Sequence, residues 1–571
     1  MRHTKKVLVI ITILAAILRF YRLGINPPSL TWDEVAWGYN AYTIGIDARD
    51  EFGRLLPVDY LESFGDYKPP AYAYLTVLPV KMFGLTEFAV RFPSALFGTI
   101  TILITYFLVK ELLYSQSRFA NSSGFSAKVG LLSALLLAIS PWHINLSRAA
   151  FEANVSSFFI VAGIWLFIYS MRKQSWYIVL SFIFLVLSLY TFNTARIFTP
   201  IMGFILIVSG RRNLIQMKKK VAVSAIVALI ISVPVITFML TPQAKLRYHE
   251  VNIFSDLSIV ENSNKAMQTD YIVAHKGKYC PECEEVSLSD ISLWSRIIHN
   301  RRYLYMVEYL RHYFHHFNPS FLFIHGDGNP KFSTGDVGQL YIVSLPFLIY
   351  GSVMLVRKKN RFWWIIPVWL LTGIIPAATA RETAHALRIE TTLPTFQIII
   401  AYGLVCFYEF LSKHLTNKRS LQISIFIITS TYFLNTLYYL QGYYIFYPGE
   451  SSREWQYGYK QAISYIKDHY NDYDTIAITD ALGRPYVYML FHLQVDPREY
   501  RSTADFNRDV YGIVDVKGFD KFRFSNNPKD EANGKGKALV LDLPDRVPDQ
   551  VEIVKEFMLL NGEPILVAYR L

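Results

Sequence analysis

The chain has 571 residues, 52% hydrophobic and 16% aromatic against 18% charged, and 57 Lys and Arg outweigh 45 Asp and Glu to give +12. That apolar share excludes a disordered chain or a basic nucleic-acid tail, and the length exceeds one ordinary domain. Mean hydropathy is only +0.24, so a sizeable part of the chain must lie in water.

The predicted elements begin with apolar runs that lack a central charge. A helix of about 20 residues crosses a ~30 Å hydrocarbon core, and such runs read as membrane spans. In chain order they are 7–23, 92–109, 129–146, 151–170, 176–192, 197–209, 221–240, 337–356, 362–380, 391–411 and 421–441. The expectation is an α-helical polytopic membrane protein with about eleven transmembrane helices. Every second connection is short and basic. These connections hold Arg2, Lys5 and Lys6; Lys110, Arg118 and Lys128; Arg172 and Lys173; Arg211, Arg212 and Lys218–Lys220; Arg357–Lys359 and Arg361; and Lys413, Lys418 and Arg419, with Glu111 the one acid among them. The positive-inside bias places the N-terminus in the cytoplasm, so the net charge reports topology and no nucleic acid is expected. The first run lacks a small-residue cleavage site and reads as an anchor.

An odd span count puts the C-terminus outside, where segments 24–91, 241–336 and 447–571 face the exterior. The chain divides into a membrane module, 1–446, and an exterior domain, 447–571. In the latter, helical stretches 455–470 and 485–493 alternate with strand-like 475–479, 538–543 and 564–571, which predicts a small α/β domain. Cys280, Cys283 and Cys406 are too few for a disulfide framework. The Cys280–Cys283 pair reads as a local bridge or spectator thiols, since no second pair completes a zinc set. Gly326–Gly335 lacks the GK[ST] ending of a phosphate loop and reads as a turn-rich loop.

Chemistry concentrates on the exterior side. Asp33 and Glu34 follow the first span directly, and Trp32, Val35 and Trp37 around Asp33 predict a partly desolvated carboxylate suited to act as a base. In Gly65-Asp66-Tyr67-Lys68-Pro69-Pro70 the double proline holds Lys68 at the foot of a helix, where a fixed ammonium suits a phosphate. Arg148 and Glu152 stand four apart, so a continuous helix would place them on one face. Asn193 and Arg196 occupy a short outer turn, as do Arg381, His385 and Arg388. Ionisable residues at span ends are costly unless paired or used. Cations converging beside carboxylates at the outer surface suit a lipid phosphate. His312, His315, His316, His325 and Asp327 cluster before the eighth span, but their spacing matches no metal-ligand set.

Trp-Asp-Glu after the first span, Asp-Tyr-Lys-Pro-Pro before the second and Leu-Ser-Arg…Phe-Glu-Ala-Asn at the fourth resemble the GT-C membrane glycosyltransferases. The resemblance is strongest to the protein O-mannosyltransferase and aminoarabinose-transferase group, families 39 and 83. It implies inverting transfer of a sugar from a polyprenyl-phosphate donor to a hydroxyl acceptor (protein, lipid or glycan) at the outer face of a plasma membrane. In that reading Asp33 is the catalytic carboxylate, Lys68 stands near the donor phosphate, and Arg148 with Glu152 replaces an Arg…Asp pair. Glu152 would orient Arg148 or accept a hydrogen bond from the substrates, and Glu34, Asp66, Asn193, Arg196, His385 and Arg388 would line the substrate site. No cofactor is assigned; some relatives bind a divalent cation there, and these residues leave that open. The rivals are a lipid-linked glycan flippase or transporter, and a ligase or polymerase of lipid-linked glycans. Charges at span ends and the lack of an internal repeat favour the transferase over transport.

Overall fold

The computed structural model describes residues 2–114, 122–274, 291–358, 362–415, 417–509 and 514–571; Cys280 and Cys283 lie outside them. Each of the eleven apolar runs carries a helix, as backbone satisfaction in hydrocarbon demands. Among the described residues, five helices are long and apolar enough to cross a membrane: Glu87–Leu112, Glu152–Lys173, Lys218–Met239, Glu390–His414 and Lys418–Glu450. Gly124–Ala138 and Pro141–Arg148, bent by 55°, make a sixth if they form one span. Other runs hold shorter helices, such as Tyr177–Leu189 and Ile365–Ile374. Over its most apolar stretch Glu152–Lys173 is 89% buried, whereas Lys218–Met239 is 17% buried. The first is therefore the axis of the helical body and the second lies on its outside.

The third run departs from expectation. Pro141 has no N–H and cannot continue the preceding helix, so a new helix starts there and ends at Arg148. Ala149 and Phe151 are extended, and the next helix begins at Glu152. Arg148 and Glu152 thus belong to different helices and share no face.

Between the first two runs lie helix Trp32–Asp47 and a hairpin of β1 (Leu61–Ser63) and β2 (Asp66–Lys68), whose turn residues Phe64 and Gly65 both have positive φ. That backbone twist matches a tight two-residue hairpin. The C-terminal part builds a seven-stranded sheet from β3 (Thr475–Thr479), β4 (Asp505–Arg508), β5 (Val514–Phe519), β6 (Phe522–Ser525), β7 (Ala538–Asp542), β8 (Glu552–Met558) and β9 (Pro564–Arg570), in the order β4-β5-β6-β3-β7-β9-β8. Central β3 pairs in parallel with β6 and β7 and is buried along its length. Both faces are covered, so it reads as a near-continuous apolar run. Edge strand β8 carries Glu552, Lys555 and Glu556, which discourage further pairing.

This sheet domain is docked onto the segment between the first two runs. A Cβ at Gly38 would meet Phe491 at 2.5 Å, so glycine lets helix Pro485–Leu493 lie against helix Trp32–Asp47. Arg501 pairs with Asp47, Arg508 with Glu62 and Lys460 with Glu87. The Tyr488 hydroxyl donates to the Leu30 carbonyl at 3.0 Å. The Tyr486 hydroxyl donates to Glu51 Oε1 at 3.0 Å and accepts the Phe64 N–H at 3.2 Å. Tyr486 therefore holds the hairpin turn itself.

Burial of Glu51 raises its carboxyl to about 8 from an ordinary 4.5, against the opposing hydrogen bonds of Tyr486 and Asn40. Between those values the folded state keeps a proton that the unfolded chain has released. This contribution to stability is full below pH 4.5 and is lost as pH rises through about 8. The thermal unfolding midpoint in detergent is expected to fall from about pH 6 to about pH 9, and Glu51→Gln, which cannot ionise, to flatten that fall. An unchanged slope in the variant would remove Glu51 as its source.

Candidate active site

Helix Trp32–Asp47 opens on a capping box. The Thr31 hydroxyl accepts the Glu34 N–H at 3.3 Å, and Glu34 Oε2 accepts the Thr31 N–H at 3.0 Å. Two orphan donors are satisfied reciprocally, and Asp33 is fixed in the first turn. Strand β2 ends at Lys68, and Pro69-Pro70 lead into helix Ala71–Phe83, as the sequence predicts. The two segments bring Lys68 Nζ into an ion pair with Asp33. The ammonium is almost buried, 4.4 Å from the Phe64 ring centroid and 5.1 Å from that of Trp37. Asp33 departs from its expected apolar setting: its side chain is 47% exposed, because the surrounding apolar side chains pack away from it into the core.

The pair opens on a cavity of about 1060 Å³. Asp33, Asp66, Lys68 and Glu152 line it together with Asn193, Arg196, His385 and Arg388, eight of the ten residues expected from sequence. Glu152 begins its helix, a position where a carboxylate meets the positive end of the helix dipole. It lies within electrostatic range of Asp33, Lys68 and Asp66. Arg388 donates from Nη1 to the Glu382 carbonyl at 2.9 Å, and its Nη2 lies 3.7 Å from Glu382 Oε2. Arg196 donates from Nε to the Leu189 carbonyl at 3.2 Å, while its buried Nη2 has no hydrogen-bond partner among the described residues. Its guanidinium carbon sits 5.3 Å from the Phe238 ring.

His385 packs against Phe332 at 4.8 Å between centroids with the rings tilted by 37°, and its Nδ1 lies 3.8 Å from Asp327 Oδ2. Desolvation holds the imidazole well below its usual 6.5, so it is neutral at physiological pH. Asp327, raised by burial to about 6, accepts the Ala386 N–H at 2.6 Å and anchors the loop that carries His385 and Arg388. The neighbouring histidines serve the same loop. His312 bonds the Ala380 carbonyl at 2.9 Å and Glu308 at 2.9 Å, and His315 bonds Thr383 at 3.2 Å.

Two expected site residues lie elsewhere. Glu34 is fully buried against Arg91, whose Nε is 2.9 Å from Oε1, and also accepts the Ala150 N–H at 2.9 Å. Arg148 is fully buried and donates to the carbonyls of Leu18, Arg19 and Asn26 at 2.8–3.1 Å and to the Tyr443 hydroxyl at 3.2 Å. These carbonyls lie at and beyond the C-terminal end of helix Arg2–Phe20, where the dipole is negative and carbonyls lack intrahelical partners. Neither lines the cavity, because each meets its partners inside the helical body.

The sequence reading missed three cavity cations, Lys245, Lys331 and Arg484, and the whole wall formed by the sheet domain, including Asp480, Tyr486 and Asp515. Gly483-Arg484-Pro485, with proline at the first helical position, is a helix-start signal that marks the turn without revealing what it faces.

Residues 67–238 match the profile of the family described as dolichyl-phosphate-mannose-protein mannosyltransferase. An uncharacterized protein of Aquifex aeolicus (strain VF5) is 28% identical over 219 residues, 38% of this chain and 40% of that protein. The match therefore spans about two fifths of the curated relative. Among solved structures, ArnT from Cupriavidus metallidurans in the apo state superposes with a TM-score of 0.54 at 11% identity, covering 98% of this chain and 97% of that one. The same protein bound to undecaprenyl phosphate gives 0.51 at 11% identity, with the same coverage.

Proposed function

We propose, from the premise that this chain has the fold of the GT-C membrane glycosyltransferases and carries their mannosyltransferase-type segment, that it is an inverting glycosyltransferase using a polyprenyl-phosphate-linked sugar. The observation that carries this reading is the Asp33–Lys68 pair opening on a cavity that also holds Glu152, Arg196 and Arg388. The chain makes eleven crossings of a plasma membrane with its N-terminus cytoplasmic. The cavity then lies at the outer face, under the exterior domain, 447–571.

A sugar on a lipid phosphate is already activated, provided the charge on the departing phosphate is held. The acceptor hydroxyl attacks the anomeric carbon and Asp33 takes its proton. The bond from that carbon to the phosphate oxygen breaks, and polyprenyl phosphate leaves with the electron pair. One displacement inverts the anomeric centre. Lys68, Arg196 and Arg388 stabilise the leaving phosphate, and Glu152 holds a hydroxyl of the sugar or acceptor. Arg148, excluded from the cavity, takes no part. A well-placed donor to developing negative charge contributes roughly 3–4 kcal/mol, so Lys68→Met is expected to slow transfer by about 10²–10³-fold.

The test is incubation of reconstituted protein with a radiolabelled polyprenyl-phosphate monosaccharide and a cell-envelope extract that supplies the hydroxyl acceptor. Release of free polyprenyl phosphate, slowed in Lys68→Met, supports the transferase. Intact donor moved across the vesicle, with none cleaved, would replace it with a flippase.

A further inference from the structure

Within the proposed transferase reading, on which this inference rests, the cavity holds more positive charge than one lipid phosphate uses. Two of its cations are committed to carboxylates, Lys68 to Asp33 and Arg388 to Glu382. Arg196 stands on the side of the span Lys218–Met239, against Phe238. Lys331 and Arg484 stand instead against Trp32 and Phe64, and neither has a carboxylate within 4.0 Å among the described residues.

Both of these cations are held in place. Lys331 Nζ lies 4.8 Å from the Trp32 ring centroid, and the Arg484 guanidinium carbon lies 5.2 Å from that of Phe64. Cation–π contacts of this kind orient a charge without neutralising it. The turn that presents Arg484 is shaped for closeness: Gly483 has φ +82°, and a Cβ there would meet the Trp32 ring at 3.0 Å. Arg484 follows with φ +52°, a conformation that disfavours a side-chain-bearing residue and that surrounding packing must impose. The acids on the same wall are answered from within the sheet domain, since Asp515 pairs with Lys517 and Asp480 lies in the field of that same lysine. Trp32 adjoins Asp33 in the chain and the Phe64 ring centroid lies 4.4 Å from Lys68 Nζ, and all four residues line the one cavity, so Lys331 and Arg484 sit on the side of the expected point of attack.

We propose that Lys331 and Arg484 form the acceptor subsite, and that the acceptor carries a phosphate or carboxylate near its attacking hydroxyl. The volume of about 1060 Å³ exceeds the 300–1,000 Å³ range of ordinary small-ligand pockets, which leaves room for this group beside the donor sugar. The sheet domain thereby supplies half of an anion clamp, and the loop before the eighth run supplies the other half.

The experiment uses the full chain in nanodiscs of neutral phosphatidylcholine and measures binding of glucose 6-phosphate, glucuronate and glucose, with undecaprenyl phosphate as a separate donor-side probe. Wild-type protein is expected to bind one or both anionic sugars about tenfold more tightly than glucose, a difference of about 1.4 kcal/mol. The Lys331→Gln/Arg484→Gln double variant is expected to lose that preference while binding undecaprenyl phosphate as before. Comparing the two anionic sugars distinguishes phosphate from carboxylate as the recognised group. Equal binding of all three sugars by wild type, or a preference that survives in the double variant, would overturn the subsite. Failure of wild type to bind undecaprenyl phosphate would count against the donor reading alone.

Discussion

Asp33→Asn is expected to lower glycosyl transfer by about 10²–10⁴-fold, the usual range for removing a general base, while the protein still folds and holds the donor phosphate. The geometry predicts this separation. The Asp33 side chain is 47% exposed, so an amide there strands no buried charge. Lys68 loses its carboxylate but stays against the rings of Phe64 and Trp37, and its ammonium becomes free to face a phosphate. Undecaprenyl phosphate should therefore bind the variant as tightly as wild type, or more tightly. The measurement is an initial rate of polyprenyl phosphate release paired with a binding isotherm for undecaprenyl phosphate. Wild-type turnover by the variant would exclude Asp33 as the base and leave Glu152 as the carboxylate to test.

Glu34→Ala, one residue further along, is expected to fail in a different way. Its carboxylate answers the Arg91 Nε and Nη2 at 2.9 and 3.3 Å and the N–H groups of Thr31 and Ala150 at 3.0 and 2.9 Å. Arg91 in turn donates to the carbonyls of Leu23, Pro27 and Ser29. Both side chains are fully buried. Removing one partner of such a pair leaves the other charge uncompensated, a loss of about 3–5 kcal/mol. The variant should show a much lower unfolding midpoint in detergent and a poor yield of monodisperse protein. A variant with wild-type stability and defective donor binding would return Glu34 to the substrate site.

Much of this was legible from the chain. Apolar run length locates a helix in each of the eleven runs, since hydrocarbon allows the backbone few alternatives, but not the helices between them, such as Trp32–Asp47 and Arg301–His315. Lys68-Pro69-Pro70 announces its local geometry through proline stereochemistry. Strand β3, helix Pro485–Leu493 and strands β7 and β9 emerge from apolar patterning. Strands β4, β5, β6 and β8 escaped, because charged residues interrupt their apolar pattern and they become strands only through the neighbours they pair with. A spacing of four implies one helical face for Arg148 and Glu152; the extended residues after Arg148 decide otherwise.

What the sequence determined by itself is which residues can be ionised at the ends of apolar helices, and that Asp33 and Lys68 lie on rigid supports. Tertiary structure alone decided where each charge finds its partner. Arg148 met backbone carbonyls, Glu34 met Arg91, and Lys331 and Arg484 came to one cavity from segments far apart in the chain. Propensity and hydropathy act over a few residues, whereas a charge is settled by whatever lies within a few ångströms once the chain has packed.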